Sequence, residues 1–121
     1  MSEKKKILIV EDNEIMRSLL KTLLELENYQ VSCPPFPLND PLKILKEIEP
    51  DVILMDINLI GISGLTLLEL IRATEDFKET KVIMSSGSDH KQECMDAGAN
   101  SFLMKPFMPE ELIQLIKTHT N

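Results

Sequence analysis

Four short apolar runs, separated by segments with helical periodicity, constrain the fold of this chain more than any other feature. They cover residues 7–10, 52–55, 82–84 and 102–104, and a weaker fifth run at 29–33 ends in Pro34 and Pro35. Runs that are apolar throughout are typical of parallel strands buried on both faces, while the fifth resembles an edge strand. The 121 residues are enough for one such unit. The sequence therefore predicts an α/β fold of the (βα)5 type, with residues 1–121 forming a single domain.

The segments between the runs predict five helices. In the first, Ile15, Leu19 and Leu23 form one row and Met16, Leu20 and Leu24 form the next, so we expect a wide buried stripe. The other predicted helices cover residues 41–48, about 64–74, about 91–97 and the segment from 109 onward.

Net charge, the length of the apolar stretches and the spacing of the cysteines argue against several classes of function and location. The formal net charge is -7 with a pI near 4.8, which argues against binding to nucleic acid or to an anionic membrane. No apolar stretch is long enough for a signal peptide or a membrane span. Cys33 and Cys94 lack metal-ligand spacing, so we expect reduced thiols and a cytoplasmic location.

Polar residues stand at the ends of the apolar runs. They are Glu11 and Asp12 after the run 7–10, Asp56 after 52–55, Ser85 and Ser86 after 82–84, and Lys105 after 102–104. Ligands of open α/β sheets bind outside the carboxyl ends of the strands, so these groups are expected to share one crevice. Ser86 is preferred to Ser85, because alternation along the strand turns Ser85 to the opposite face.

Three carboxylates in one crevice repel each other unless a cation neutralises them. Oxygen ligands without thiolate or imidazole favour Mg²⁺, with Mn²⁺ as the alternative. Three carboxylates, one Mg²⁺ and one lysine sum to zero charge. A phosphoryl group on a carboxylate would then be stabilised by the metal, by Lys105 and by the Ser86 hydroxyl.

These motifs together resemble the response-regulator receiver family of two-component signalling, over nearly the whole chain. The resemblance rests on the order and spacing of Glu11-Asp12, Asp56, Gly61-x-x-Gly64, Ser86, Ala97-Gly98-Ala99 and Lys105-Pro106-Phe107. It implies a flavodoxin-like, doubly wound sheet of five parallel strands in the order 2-1-3-4-5.

The resemblance also implies a role for each site residue. Asp56 would be the phosphoryl acceptor. Metal ligands would be Glu11, directly or through water, Asp12, Asp56 and the main-chain carbonyl of Asn58. Ser86 and Lys105 would bind the phosphoryl group, Phe102 would be an aromatic switch, and the Lys105–Pro106 peptide would be cis. From the residues alone, Asn58 could equally be a turn-forming residue at the end of a strand. Phe102 could equally be an ordinary core residue rather than a switch.

The chain departs from the family pattern in four places. Glu11 stands where Asp is more common, and Ile60 replaces a usual Pro. The segment between Ser86 and Lys105 is short, which puts the partner surface of the fourth helix in doubt. Residues 34–37 form an unusual proline-rich connection.

The resemblance implies partners rather than substrates. We expect a histidine kinase or histidine phosphotransfer protein, a downstream protein target, no nucleic acid or membrane, and a monomer or weak dimer. Activity would be limited to slow self-phosphotransfer and autodephosphorylation. Rival readings are a degenerate receiver acting as a scaffold without phosphate, and a haloacid-dehalogenase-like phosphatase, which needs an Asp where Asn58 stands. A nucleotide-binding Rossmann domain lacks the glycine-rich turn after the first strand.

Overall fold

The computed structural model describes residues 3–121, so the first two positions of the predicted domain 1–121 lie outside it. Strands and helices alternate along the chain in the predicted (βα)5 order. The elements are β1 Lys6–Val10, α1 Glu14–Leu26, β2 Gln30–Ser32, α2 Pro41–Ile48, β3 Val52–Asp56, α3 Gly64–Ala73, β4 Lys81–Ser86, α4 Lys91–Asp96, β5 Ser101–Met104 and α5 Pro109–Thr120.

All strand pairs are parallel, and the strand order is β2-β1-β3-β4-β5, which confirms the predicted topology. The pairing aligns Val10 with Met55 and Asp56 with Ser85. The residues that follow β1, end β3 and β4, and follow β5 therefore meet at one edge of the sheet.

Alternate side chains of each central strand enter two separate apolar clusters. Leu8 and Val10 of β1 pack with α2, α3 and α4, whereas Ile7 and Ile9 pack with α1 and α5. The sheet is therefore covered on both faces, as continuous apolar runs require. This packing fixes the carboxyl edge of the sheet between two layers of helices.

Helix α1 corrects one expectation. Ile15 and Leu19 were expected in the buried stripe, but their side chains are 74% and 61% exposed. Leu20 and Leu24 are the residues of α1 that are buried. The apolar residues of α1 cover more of its circumference than the sheet can bury, so an apolar row remains on the surface.

None of the helices within residues 3–121 is long and apolar enough to cross a membrane.

Candidate functional site

Glu11 lies in the connection between β1 and α1, and local hydrogen bonds fix it there. Its side chain is almost fully buried. Asn13 caps α1 by accepting a hydrogen bond from the Met16 N–H at 2.9 Å. The Asn13 N–H donates to Glu11 Oε2 at 3.2 Å, and Arg17 Nη1 donates to the Glu11 carbonyl oxygen at 2.9 Å. The acidic connection is thus attached to the first turns of α1.

Asp56 is the last residue of β3, and its side chain is 9% exposed. The Asn58 N–H donates to Asp56 Oδ1 at 3.1 Å. The chain then forms a bridge between Asn58 and Ser63, and the Gly64 N–H donates to the Ile57 carbonyl at 2.8 Å. The loop after Asp56 therefore returns directly to the end of β3, which holds the carboxylate in place.

Lys105 follows β5 and joins the two buried carboxylates. Its Nζ lies 2.8 Å from Glu11 Oε1 and 2.7 Å from Asp56 Oδ2. Burial lowers the pKa of Lys105, but the hydrogen bonds to Asp56 and Glu11 outweigh burial and leave the pKa above its ordinary value. The ammonium is therefore charged at physiological pH. The Lys105–Pro106 peptide is cis.

The other predicted site residues lie near this edge without joining the ion pairs. Asp12 is partly exposed, Asn58 is exposed, and Phe102 is partly buried against the core. Ser86 is fully buried, and its hydroxyl oxygen accepts a hydrogen bond from the Ser88 N–H at 3.1 Å. The structure therefore brings Glu11, Asp56 and Lys105 together by direct contact.

The oxygen donors of this edge suit a hard divalent cation. Glu11, Asp12 and Asp56 carry three negative charges against one positive charge on Lys105, so two negative charges remain for a cation to neutralise. Within residues 3–121, however, no three His, Cys, Asp or Glu side chains are grouped closely enough to hold a metal. The chemistry of the donor set nevertheless fits Mg²⁺.

An apolar groove of about 680 Å³ borders the site, between α1 and the segment that leads into α5. Its lining includes Gly87 and Lys105, which contacts the carboxylates, and the remaining lining residues are apolar: Met16, Leu19, Leu20, Leu23, Pro106, Phe107 and Pro109. Met108, next to this lining, is 60% exposed.

Sequence reasoning missed two residues that support the site, Asn13 and Arg17. Asn13 was detectable, because Asn directly before an apolar helical pattern is a frequent N-cap. The contact of Arg17 with the Glu11 carbonyl had no sequence signal, since arginine is also common on the exposed face of a helix.

The family model and the relatives reported below all belong to response regulators or chemotaxis proteins of the CheY type. The family model of the response regulator receiver domain matches residues 7–117. A nitrate/nitrite response regulator protein homolog from Haemophilus influenzae is 32% identical, and the match covers 97% of this chain and 57% of that relative. The chain thus spans little more than half of that protein. The chemotaxis protein CheY of Thermotoga maritima is 28% identical, with 93% of this chain and 94% of that relative covered.

Solved structures show the same fold. A putative response regulator from Chloroflexus aurantiacus has a TM-score of 0.89 at 29% identity, with coverage of 97% of this chain and 98% of that chain. The receiver domain of a Pseudomonas aeruginosa sensor histidine kinase, described with a magnesium ion coordinated in its active site cleft, has a TM-score of 0.78 at 28% identity. The match covers 96% of this chain and 97% of that one. From the family match, its relatives and the strand order, we conclude that this chain belongs to the response regulator receiver domain family.

Proposed function

We propose that this receiver domain accepts a phosphoryl group on Asp56 from a histidine kinase or histidine phosphotransfer protein, with Mg²⁺ bound, and relays the change to a downstream protein. One observation carries the proposal. A nearly buried carboxylate ends a central strand, and a lysine ammonium lies 2.7 Å from one of its oxygens. That arrangement provides a nucleophile beside a cation that can bind a transferred phosphoryl group.

In the proposed reaction, a carboxylate oxygen of Asp56 attacks the phosphorus of a phosphohistidine. The new P–O bond forms as the P–N bond breaks, and the electron pair of the broken bond returns to the imidazole of the donor. Lys105 would exchange its contact with Asp56 Oδ2 for a contact with a phosphoryl oxygen. Hydrogen bonds from Asn13 and Asn58 would hold the loops around the reacting carboxylate.

Mg²⁺ would be held by Glu11, Asp12, Asp56 and the main-chain carbonyl of Asn58, with Mn²⁺ as a substitute. When bound, the ion would supply positive charge to offset the phosphoryl oxygens and the carboxylates. The oxygen donors and the two uncompensated negative charges support this assignment.

Ser86 is proposed as the hydroxyl that responds to the phosphoryl group. Its oxygen accepts a hydrogen bond from the Ser88 N–H, so its own hydrogen remains free to donate. A contact that exists only after phosphorylation would favour one of two conformations of the domain. Phe102, partly buried on β5, is the proposed aromatic partner of this change.

The protein donor is proposed to dock in the groove between α1 and the segment following Lys105. The donor must bring its phosphoryl group to Asp56, and Lys105, which contacts Asp56, also lines this groove. Ile15 and Leu19 extend the apolar surface onto the outside of α1. An apolar helix of a histidine-bearing partner fits a surface of this composition.

Activity in this proposal is stoichiometric. The chain would phosphorylate itself slowly and lose the group slowly, without turnover of a metabolite. Asn58 occupies the position where a haloacid-dehalogenase-like phosphatase needs a second Asp, which disfavours that chemistry. A cytoplasmic location stays a prediction.

The test is intact mass after incubation with acetyl phosphate and MgCl₂, for the native chain and for Asp56→Asn. We expect a gain of one phosphoryl group in the native chain, and no gain in the variant or after chelation of the metal. No gain in the native chain under any of these conditions would instead support a scaffold that acts without phosphate.

A further inference from the structure

The Lys105 ammonium already engages carboxylate oxygens that a metal would need. It contacts Glu11 Oε1 at 2.8 Å and Asp56 Oδ2 at 2.7 Å. The Glu11 side chain is 5% exposed, that of Asp56 is 9% exposed and that of Lys105 is 23% exposed. Because water is mostly excluded from the two carboxylates, their contacts with the ammonium are weakly screened.

The remaining oxygens of these two carboxylates also have donors. Glu11 Oε2 accepts from the Asn13 N–H and Asp56 Oδ1 accepts from the Asn58 N–H. An ion that binds Glu11 and Asp56 must therefore compete for oxygens that already have hydrogen bonds. Of these donors only Lys105 carries a positive charge, so it is also the one that repels an incoming cation.

The length of Glu11 makes this bridge possible. Lys105 comes from the edge strand β5, whereas Glu11 follows the central strand β1, with β3 and β4 between them. Aspartate at this position would be shorter by one methylene and would withdraw its carboxylate from Lys105 by about 1.5 Å. Arg17 donates to the main-chain carbonyl of Glu11 and holds the loop in place, so the main chain is not expected to follow the shortened side chain.

We propose that the Glu11–Lys105 ion pair is a built-in competitor of the divalent cation, so that Glu11 sets the metal concentration at which the site loads. Metal binding requires Lys105 to leave Glu11. The inference rests on the proposed function, since it concerns the cation of the same site.

The test is the affinity for MgCl₂ at constant pH, measured by isothermal titration calorimetry without any phosphodonor. Glu11→Asp keeps the charge of the chain and should bind Mg²⁺ about tenfold more tightly, the factor that corresponds to one charge-assisted hydrogen bond. Lys105→Met removes the competing ammonium directly and should also tighten binding. The matched control is Lys117→Met, which deletes a surface lysine 3.7 Å from Glu27 and changes the net charge equally.

Affinities of Glu11→Asp and Lys105→Met that equal or fall below the native affinity would overturn the inference. If the native chain still gained a phosphoryl group in the separate incubation with acetyl phosphate and MgCl₂, the proposed function would stand without the inference. An equal gain in affinity for Lys117→Met and Lys105→Met, with none for Glu11→Asp, would also overturn it, because net charge alone would explain the effect.

If neither the native chain nor any variant bound Mg²⁺, the proposed metal site and the inference would fail together. Circular dichroism identifies a variant that fails to fold, and Glu11→Asp then decides without Lys105→Met.

Discussion

Gly64 is the residue that brings the start of α3 against the end of β3. A Cβ built on Gly64 would overlap the main-chain carbonyl oxygen of Asp56 and would lie 2.8 Å from Ile57 Cα. The neighbours are backbone atoms, which cannot turn aside as a flexible side chain can. The absence of a side chain at Gly64 therefore contributes directly to the position of Asp56.

Gly64→Ala is expected to lower the free energy of unfolding by about 1–3 kcal/mol, as overpacking of a tight site does. It should also slow the phosphorylation of Asp56 by acetyl phosphate, because the end of β3 must move. Urea unfolding and the time course of intact mass measure the two effects. Gly87→Ala is the control, since a Cβ there meets nothing within 4 Å. We expect its stability within about 0.5 kcal/mol of the native value; equal losses in both variants would refute the argument.

At the scale of elements, α1 has an inner and an outer apolar face. Leu20 and Leu24 are buried against the sheet, whereas Ile15, Leu19 and Leu26 are 74%, 61% and 79% exposed. The outer residues are separated by four and seven positions, so they form one row along the helix. Leu19 also lines the groove beside Lys105, and Leu26 lies at the opposite end of α1.

Leu19→Glu should reduce phosphotransfer from a protein donor by tenfold or more, roughly the effect of losing one buried contact at an interface. Phosphorylation by acetyl phosphate should be unchanged, because the small donor needs no docking surface. Leu26→Glu carries the same charge change on the same helix, and we expect little effect on either reaction. A variant of Leu19 that is slow with both donors would indicate damage to the site rather than to docking.

The two faces of α1 show where sequence reasoning reaches its limit. Periodicity identified the helix and placed Leu20 and Leu24 inside, but it also placed Ile15 and Leu19 inside. The spacing of apolar residues identifies a helix, but it does not show which of those residues the sheet is wide enough to cover. The contacts of Arg72 with Gly98 O at 2.8 Å and Asn100 Oδ1 at 3.0 Å were equally beyond prediction, because no local pattern links residues so far apart.

At the scale of the whole molecule, the two cysteines lie on opposite faces of the sheet, so their reactivities can be used to probe both layers of the core. Cys94 is fully buried in the cluster under α2, α3 and α4, and Cys33 is partly buried against the cluster under α1 and α5. Burial, with a smaller effect of Glu93, raises the pKa of Cys94 to about 11. The thiolate is the reactive form, so Cys94 is doubly protected in the folded chain.

Burial also raises the pKa of Cys33, which is only partly buried, so thiol labelling at pH 8 should modify Cys33 of the native chain slowly and Cys94 only after unfolding in urea. Because the pKa of Cys94 is about 11, little of its thiol is ionised at pH 8, and the ionised fraction rises as the pH approaches 11. The native rate at Cys94 should therefore increase with pH. Cys33→Ser should leave the native chain almost unreactive at pH 8. Two thiols that react at similar rates without urea would contradict the buried position of Cys94.

The global fold was predictable because its cause is present in the sequence. Apolar runs such as 52–55, bounded by helical segments, allow few arrangements other than a parallel sheet covered on both faces. The edge at which Glu11, Asp56 and Lys105 meet follows from the direction of the strands. The ion pairs that Lys105 forms with Glu11 and Asp56 could not be predicted in this way. They depend on the lengths of the side chains and on the distance between α1 and β5.

Glu11 and Lys105 are 94 residues apart in the chain, and Asp56 lies between them. During synthesis, a nascent polypeptide has both carboxylates long before Lys105 emerges from the ribosome. Any product that stops before β5 has neither the ammonium nor the final strand of the sheet, so it cannot assemble the cluster. Under the proposed function, the ability to accept a phosphoryl group is thereby restricted to molecules whose synthesis and folding have proceeded at least through β5 and Lys105.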